Sequence, residues 1–211
     1  LSYSNRSDEY HGLSIAGPNS RKVLEKIVRD DVSNEKFKFR DSRRMFVGGV
    51  PAIINRISFT GELGYEIYVA PHYQLKLYEE LMEAGKEFNI KPFGGRALMS
   101  MRLEKNWGAW TLDYRPDFTA KETGLDAFIN WDKEFIGKES AQKENSSNKL
   151  VPLIVETNEI DVTNNEAVLN GDQSIGYVTS GGFAHFVNKS VAFTFVDQKK
   201  IKSENKIQVE I

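Results

Sequence analysis

The stretch Ser58–Val69, SFTGELGYEIYV, decides how the first half of the chain is read. Its last five residues alternate, so Tyr65, Ile67 and Val69 would share one side of a strand and Glu66 and Tyr68 the other, because successive strand side chains point to opposite faces. Thr60 to Gly64, with glycine at 61 and 64, reads as the turn that delivers the chain into that strand. A carboxylate therefore stands in the middle of a half-buried strand. Glutamate is mostly exposed in folded proteins, which leaves two readings of Glu66. Either it faces water, or it receives a ligand with two parallel N–H donors, such as a guanidinium or the aminopyrimidinone edge of a pterin.

Working back from this strand, Val50 to Phe59 reads as a preceding strand, joined through a Gly48-Gly49 hairpin turn to another at Arg43–Val47. Further back, His11–Ala16 is a short apolar run closed by Gly17-Pro18. Asn19 and Ser20 offer caps for a helix on which Val23, Leu24, Ile27 and Val28 recur at helical spacing. Working forward, Pro71 opens a helix that places Tyr73, Leu77, Leu81, Ala84 and Phe88 on one face, and Ile90–Phe93 is a last short apolar segment. The order is read as β-α-β-β-α-β, a ferredoxin-like split βαβ unit in which two helices cover one face of an antiparallel sheet.

Gly94-Gly95 then leads into a helix over Arg96–Lys105, with Leu98 and Met101 expected toward the core. The stretch from Asn106 to Glu134 is irregular and rich in aromatic residues, and such a stretch is usually functional or packs over a site. Polar residues 142–149, QKENSSNK, read as a linker. Beyond it, Leu150–Val155, Ser174–Val178, Ser190–Val196 and Lys206–Ile211 are short strand candidates of a small Greek-key or barrel domain. The expected organisation is α+β: residues 1–141 as a partial ligand-binding domain, 142–149 as linker, and 150–211 as a β-barrel domain.

Composition narrows the function. With 28 basic and 30 acidic side chains and a formal net charge of −2, no global field favours nucleic acid or an anionic membrane. No apolar run approaches the ~20 residues of a membrane helix, so the expectation is a soluble, cytoplasmic protein acting on a small molecule. Cysteine is absent, which excludes disulfides and thiolate metal sites. His11, His72 and His185 stand alone, without partners at metal-ligand spacing, and no metal is expected. Arg96 sits in the first turn of its helix beside two glycines, where an anionic ligand would meet both a guanidinium and the helix N-terminus. A surface arginine, or an ion pair with Glu66, is the plainer account. Trp107 and Trp110 offer a wall for a flat ring, although clustered aromatics more often form core. Thr179-Ser180-Gly181-Gly182 reads as a hairpin turn rather than a phosphate cradle.

Taken in order, GLSIAGPNSRKVL, TGELGYEIYV, KPFGGRALMSMRLEK, DFTAKETGLDAF, EFIGKESA and IGYVTSGGFAHFVNKSVAF resemble the T protein of the glycine cleavage system, an aminomethyltransferase. The wording is nearer still to the C-terminal folate-binding region of dimethylglycine and sarcosine dehydrogenases. The resemblance runs from about His11 to the end and implies a tetrahydrofolate-dependent module that moves a one-carbon unit from an aminomethyl or N-methyl amine to folate. It places Glu66 at the family's pterin-binding glutamate and Arg96 at the arginine that follows it, while Tyr65, Arg102 and Trp110 fall on motif positions with no role carried over.

The family's catalytic aspartate belongs to a segment ahead of His11, so it is expected outside this chain. The implied partners are that segment, a flavin domain or subunit as in the dehydrogenases, and a methylated amine or aminomethyl donor. On this view the chain is part of a longer enzyme, with little activity alone. A folate-binding or scaffold domain without catalysis is the alternative. Relatives tied to iron–sulfur assembly or tRNA modification carry a cysteine motif that this sequence lacks.

Overall fold

A computed structural model describes residues 2–157 and 160–211. The chain divides after Leu98 into two compact units.

The first unit is built on four strands, β1 (His11–Ala16), β2 (Ser42–Val47), β3 (Val50–Asn55) and β4 (Gly64–Val69), in the order β1-β4-β3-β2 and antiparallel throughout. The hairpin between β2 and β3 turns on Gly48 and Gly49, both at positive φ (57° and 80°), as a two-residue turn requires. Helix α1 (Ser20–Ile27) follows β1, and a turn at Pro71–Tyr73 leads into α2 (Gln74–Gly85). Leu24 of α1 and Leu77 of α2 join Phe37, Val47, Ile54, Tyr65, Ile67 and Val69 in one core. The sheet thus buries one face, and the alternation seen in β4 is the alternation of burial.

Three local expectations are corrected. Asn19 occupies the N-cap of α1 without a side-chain capping bond, and the Ser20 hydroxyl instead donates to the Leu63 carbonyl at 2.9 Å. The strand expected to reach Phe59 ends at Asn55. Ile90–Phe93 forms no strand: Asn89 turns the chain in the left-handed region (φ 56°), Ile90 packs where a Cβ on Gly85 would stand, and Pro92 has no N–H to give a ladder. The observed order in this unit is β-α-β-β-β-α, with three strands between the helices where the β-α-β-β-α-β order has two, and none after α2.

Helix α3 (Gly95–Glu104) follows, with Arg102 and Leu103 as its buried residues rather than Met101. In the second unit come two short helices, α4 (Ala120–Thr123) and α5 (Lys138–Lys143). Thr119 and Glu122 cap α4 reciprocally in a capping box. Burial alone would raise the pKa of Glu122. Hydrogen bonds from Ser146 and Thr119 outweigh that and hold it below the usual glutamate range.

Strands β5 (Asn148–Val155), β6 (Ala167–Asn170), β7 (Gln173–Ala184), β8 (Lys189–Asp197) and β9 (Ile207–Val209) make a second antiparallel sheet, ordered β5-β8-β7-β6-β9. Residues 142–149 include the end of α5 and the start of β5. Thr179–Gly182 is not a turn. It lies inside β7 at a register shift against β8, and Gly181 is small because a Cβ there would meet the Val162 carbonyl oxygen at 2.6 Å.

Gly176 offers a test of the β7–β8 register. A Cβ there would fall 2.0 Å from the Phe195 carbonyl oxygen and 2.8 Å from the Val196 Cα, both backbone atoms that cannot swing aside. Gly176→Ala is expected to cost about 1–3 kcal/mol, the usual cost of overpacking. Tryptophan fluorescence during urea unfolding reads it, since Trp107, Trp110 and Trp131 all belong to this unit. An unchanged midpoint would show that the strands pair differently.

Candidate functional site

Glu66 lies on β4, an inner strand, directly opposite Ser14 of β1 and Asn55 of β3. These three residues form a polar row on the sheet face turned away from the core that Tyr65 and Ile67 enter. Glu66 is half-buried and lines a cavity of about 600 Å³ that runs past the edge strand β1. Much of the lining is aromatic or aliphatic, including Phe59, Tyr78, Phe88, Phe93 and Leu98. A pocket of this size with apolar walls and a single convergent carboxylate is what a flat, hydrogen-bonding ligand requires.

The carboxylate is already oriented. Tyr68 donates its phenol O–H to Glu66 Oε2 at 2.7 Å, while Oε1 makes no hydrogen bond among the described residues. That hydrogen bond, followed by partial burial, pushes the Tyr68 phenol above its usual pKa. A group held this way stays neutral at physiological pH and remains a donor.

Arg96 is the second residue of α3 and is exposed. It makes no ion pair or hydrogen bond among the described residues, so the ion pair with Glu66 is not formed. It does not line the cavity, although Phe93 and Leu98 on either side of it do. At Gly94 and Gly95 an added Cβ would meet nothing within 4 Å, which leaves the helix start open to a ligand. The structure thus brings Glu66 to a cavity and leaves Arg96 beside two of its lining residues.

The second unit holds a polar cluster that sequence reasoning missed. Arg102 and Asp113 are fully buried and paired, Nη1 to Oδ2 at 2.5 Å. The Ala109 N–H donates to the same Oδ2 at 2.8 Å, while Thr179 and Ser180 hydroxyls donate to Oδ1 at 2.5 and 2.6 Å. Burial pulls the Arg102 pKa down and the nearby Asp113 charge opposes the shift. The cluster pins the loop that carries Trp107, Trp110 and Tyr114 to strand β7. The one hint in the sequence was Arg102 four residues after Leu98, on the helix's apolar side.

Trp107 and Trp110 are not core. They are 44% and 73% exposed, and each meets Tyr114 edge-on at 6.2 and 5.7 Å between ring centres. Among the described residues no group of three or more His, Cys, Asp or Glu could hold a metal ion, and no helix is long and apolar enough to cross a membrane.

Comparison with known proteins agrees with this architecture. Residues 1–133 match the family model of the GCVT N-terminal domain, and residues 148–211 match that of the glycine cleavage T-protein C-terminal barrel domain. Human mitochondrial dimethylglycine dehydrogenase is 35% identical over 98% of this chain and 24% of its own length. An aminomethyltransferase of Thermoanaerobacter pseudethanolicus is 32% identical over 99% of this chain and 57% of its own. The chain thus spans between a quarter and somewhat over half of these relatives. The crystal structure of the glycine cleavage system aminomethyltransferase T from Bartonella henselae superposes with a TM-score of 0.66 at 24% identity, covering 76% of this chain and 45% of that one. That likeness establishes the fold.

Proposed function

The chain belongs to the glycine cleavage T-protein family, and on that premise we propose that it is a tetrahydrofolate-dependent one-carbon transfer module of a longer enzyme. When bound, tetrahydrofolate supplies an amine that accepts the one-carbon unit of an aminomethyl donor or N-methylated amine. The observation that carries the reading is Glu66, a half-buried carboxylate on an inner strand, with one oxygen unclaimed, at an apolar cavity of about 600 Å³.

The residues present fit that group. The pterin edge presents adjacent N–H donors to a carboxylate in a fork, and Glu66 offers Oε1 together with the remaining lone pair of Oε2. Phe59, Phe88 and Phe93 supply apolar walls for the flat ring system. Arg96, exposed at the open start of α3, is suited to the carboxylates at the far end of the molecule. What these residues contribute is binding and orientation, which fixes the accepting amine relative to the donor carbon.

Titration of tetrahydrofolate into the full native polypeptide tests the reading. Glu66→Ala is expected to weaken binding by about 1–3 kcal/mol, the range for leaving a buried hydrogen-bond partner unsatisfied. Arg96→Ala is expected to weaken polyglutamylated folate more than the monoglutamate. An affinity indifferent to Glu66→Ala would remove the assignment.

A further inference from the structure

We infer that Tyr68 is a positioning residue for Glu66, and that Gly12 is the space that allows it to act. The inference rests on the reading of Glu66 as the carboxylate that meets the ligand.

Tyr68 follows Glu66 by two residues and shares its sheet face, so the two Cα atoms stand about 7 Å apart along the strand. For the phenol to donate to Oε2 at 2.7 Å, the two side chains must lean toward each other along β4 instead of both standing clear of the sheet. Where it lies is shown by the residue directly opposite on β1, which is Gly12. A Cβ on Gly12 would stand 3.0 Å from Tyr68 Cε1 and 3.3 Å from Cδ1. Gly12 does not have a positive φ, so backbone conformation gives no reason for glycine here. Glycine within a strand is unfavourable on entropic grounds and commonly marks a close approach. Here the approaching group is the Tyr68 ring.

The consequence is a carboxylate with a fixed plane. A glutamate with only one oxygen in contact with solvent or ligand could rotate about its terminal torsion, which is broad. With Oε2 held by the phenol, Oε1 and the second lone pair of Oε2 present one set of acceptor directions to the cavity. A ligand with two parallel donors then meets an acceptor pair already in register, and less freedom is lost on binding. Tyr68 touches Glu66, and its effect on the ligand passes through that residue.

A double-mutant cycle tests this by tetrahydrofolate titration of the full native polypeptide. Tyr68→Phe keeps the ring and deletes the donor. It is expected to weaken binding about three- to tenfold, less than the loss of a charge-assisted hydrogen bond to the ligand itself, because the deleted bond only orients the acceptor. In a Glu66→Ala background the same change is expected to have little further effect, because no acceptor is left to orient. Gly12→Val, which crowds the ring, is expected to reproduce the Tyr68→Phe loss while leaving the Glu66→Ala variant as it was. Equal losses from Tyr68→Phe in both backgrounds would assign the ring to packing alone and overturn the inference, with the Glu66 reading intact. A Glu66→Ala protein that binds like wild type would overturn both.

Discussion

Asp113→Ala should cost the second unit about 3–5 kcal/mol of stability, the usual penalty for stranding a buried charge. Four donors converge on this one carboxylate: the Arg102 guanidinium and the Ala109 N–H on Oδ2, the Thr179 and Ser180 hydroxyls on Oδ1. Alanine removes every acceptor at once. Thr179 retains a bond to the Phe193 carbonyl at 3.2 Å, and Arg102 retains the Trp107 carbonyl at 3.1 Å and the face of the Phe193 ring at 5.7 Å. The guanidinium cannot shed its proton to escape, since arginine stays charged in proteins. Urea unfolding followed by tryptophan fluorescence measures the loss. The double variant Arg102→Met/Asp113→Asn should recover part of it, because the charge has gone and an amide oxygen still accepts from the hydroxyls. A single-variant loss below about 1 kcal/mol, the level of exposed ion pairs, would mean that the pair is solvated in solution.

Ile67→Ala should cost the first unit about 2–5 kcal/mol, the range for truncating a buried isoleucine. Ile67 is fully buried on β4, opposite Leu13 of β1 and Ile54 of β3, in the core that α1 and α2 close. Inner strands have neighbours on both sides, so the void is poorly placed to collapse. No tryptophan reports on this unit, and circular dichroism during urea unfolding is the suitable measurement. A loss under about 0.5 kcal/mol, typical of surface substitutions, would mean that β4 presents its other face to the core and that the placement of Glu66 is wrong as well.

Much of the first unit was legible because its signals are local. The alternation in β4, the Gly48-Gly49 turn and the apolar stripes of α1 and α2 each rest on a few neighbouring residues. Ile90–Phe93 misled because an apolar run has no period to say whether it is strand or packing, and Pro92 was the feature that should have weighed more. Strand β6 was missed for its shortness: Ala167–Asn170 is only four residues and gains its pairing from β7 and β9. Thr179–Gly182 looked like a turn from its glycines, of which Gly181 in fact makes room for the Val162 carbonyl. The Arg102–Asp113 cluster depends on residues far apart in the chain, and no local pattern carries such information. Glu66 was legible as an anomaly, a charge within a strand. The hydroxyl that orients it was not, because a tyrosine at a half-buried strand position is ordinary.

The register of β4 also shapes how this segment can change over evolutionary time. Tyr65, Glu66 and Ile67 alternate between core and cavity, and a shift of a single residue exchanges the two faces. Substitutions at any of these positions can be sampled gradually and repaired by neighbours. A one-residue insertion or deletion between Gly64 and Glu66 cannot, since it would drive the carboxylate into the core and turn Tyr65 and Ile67 outward together. Descendants of this chain should therefore vary in the composition of β4 while conserving its length, with gaps confined to the flanking turns.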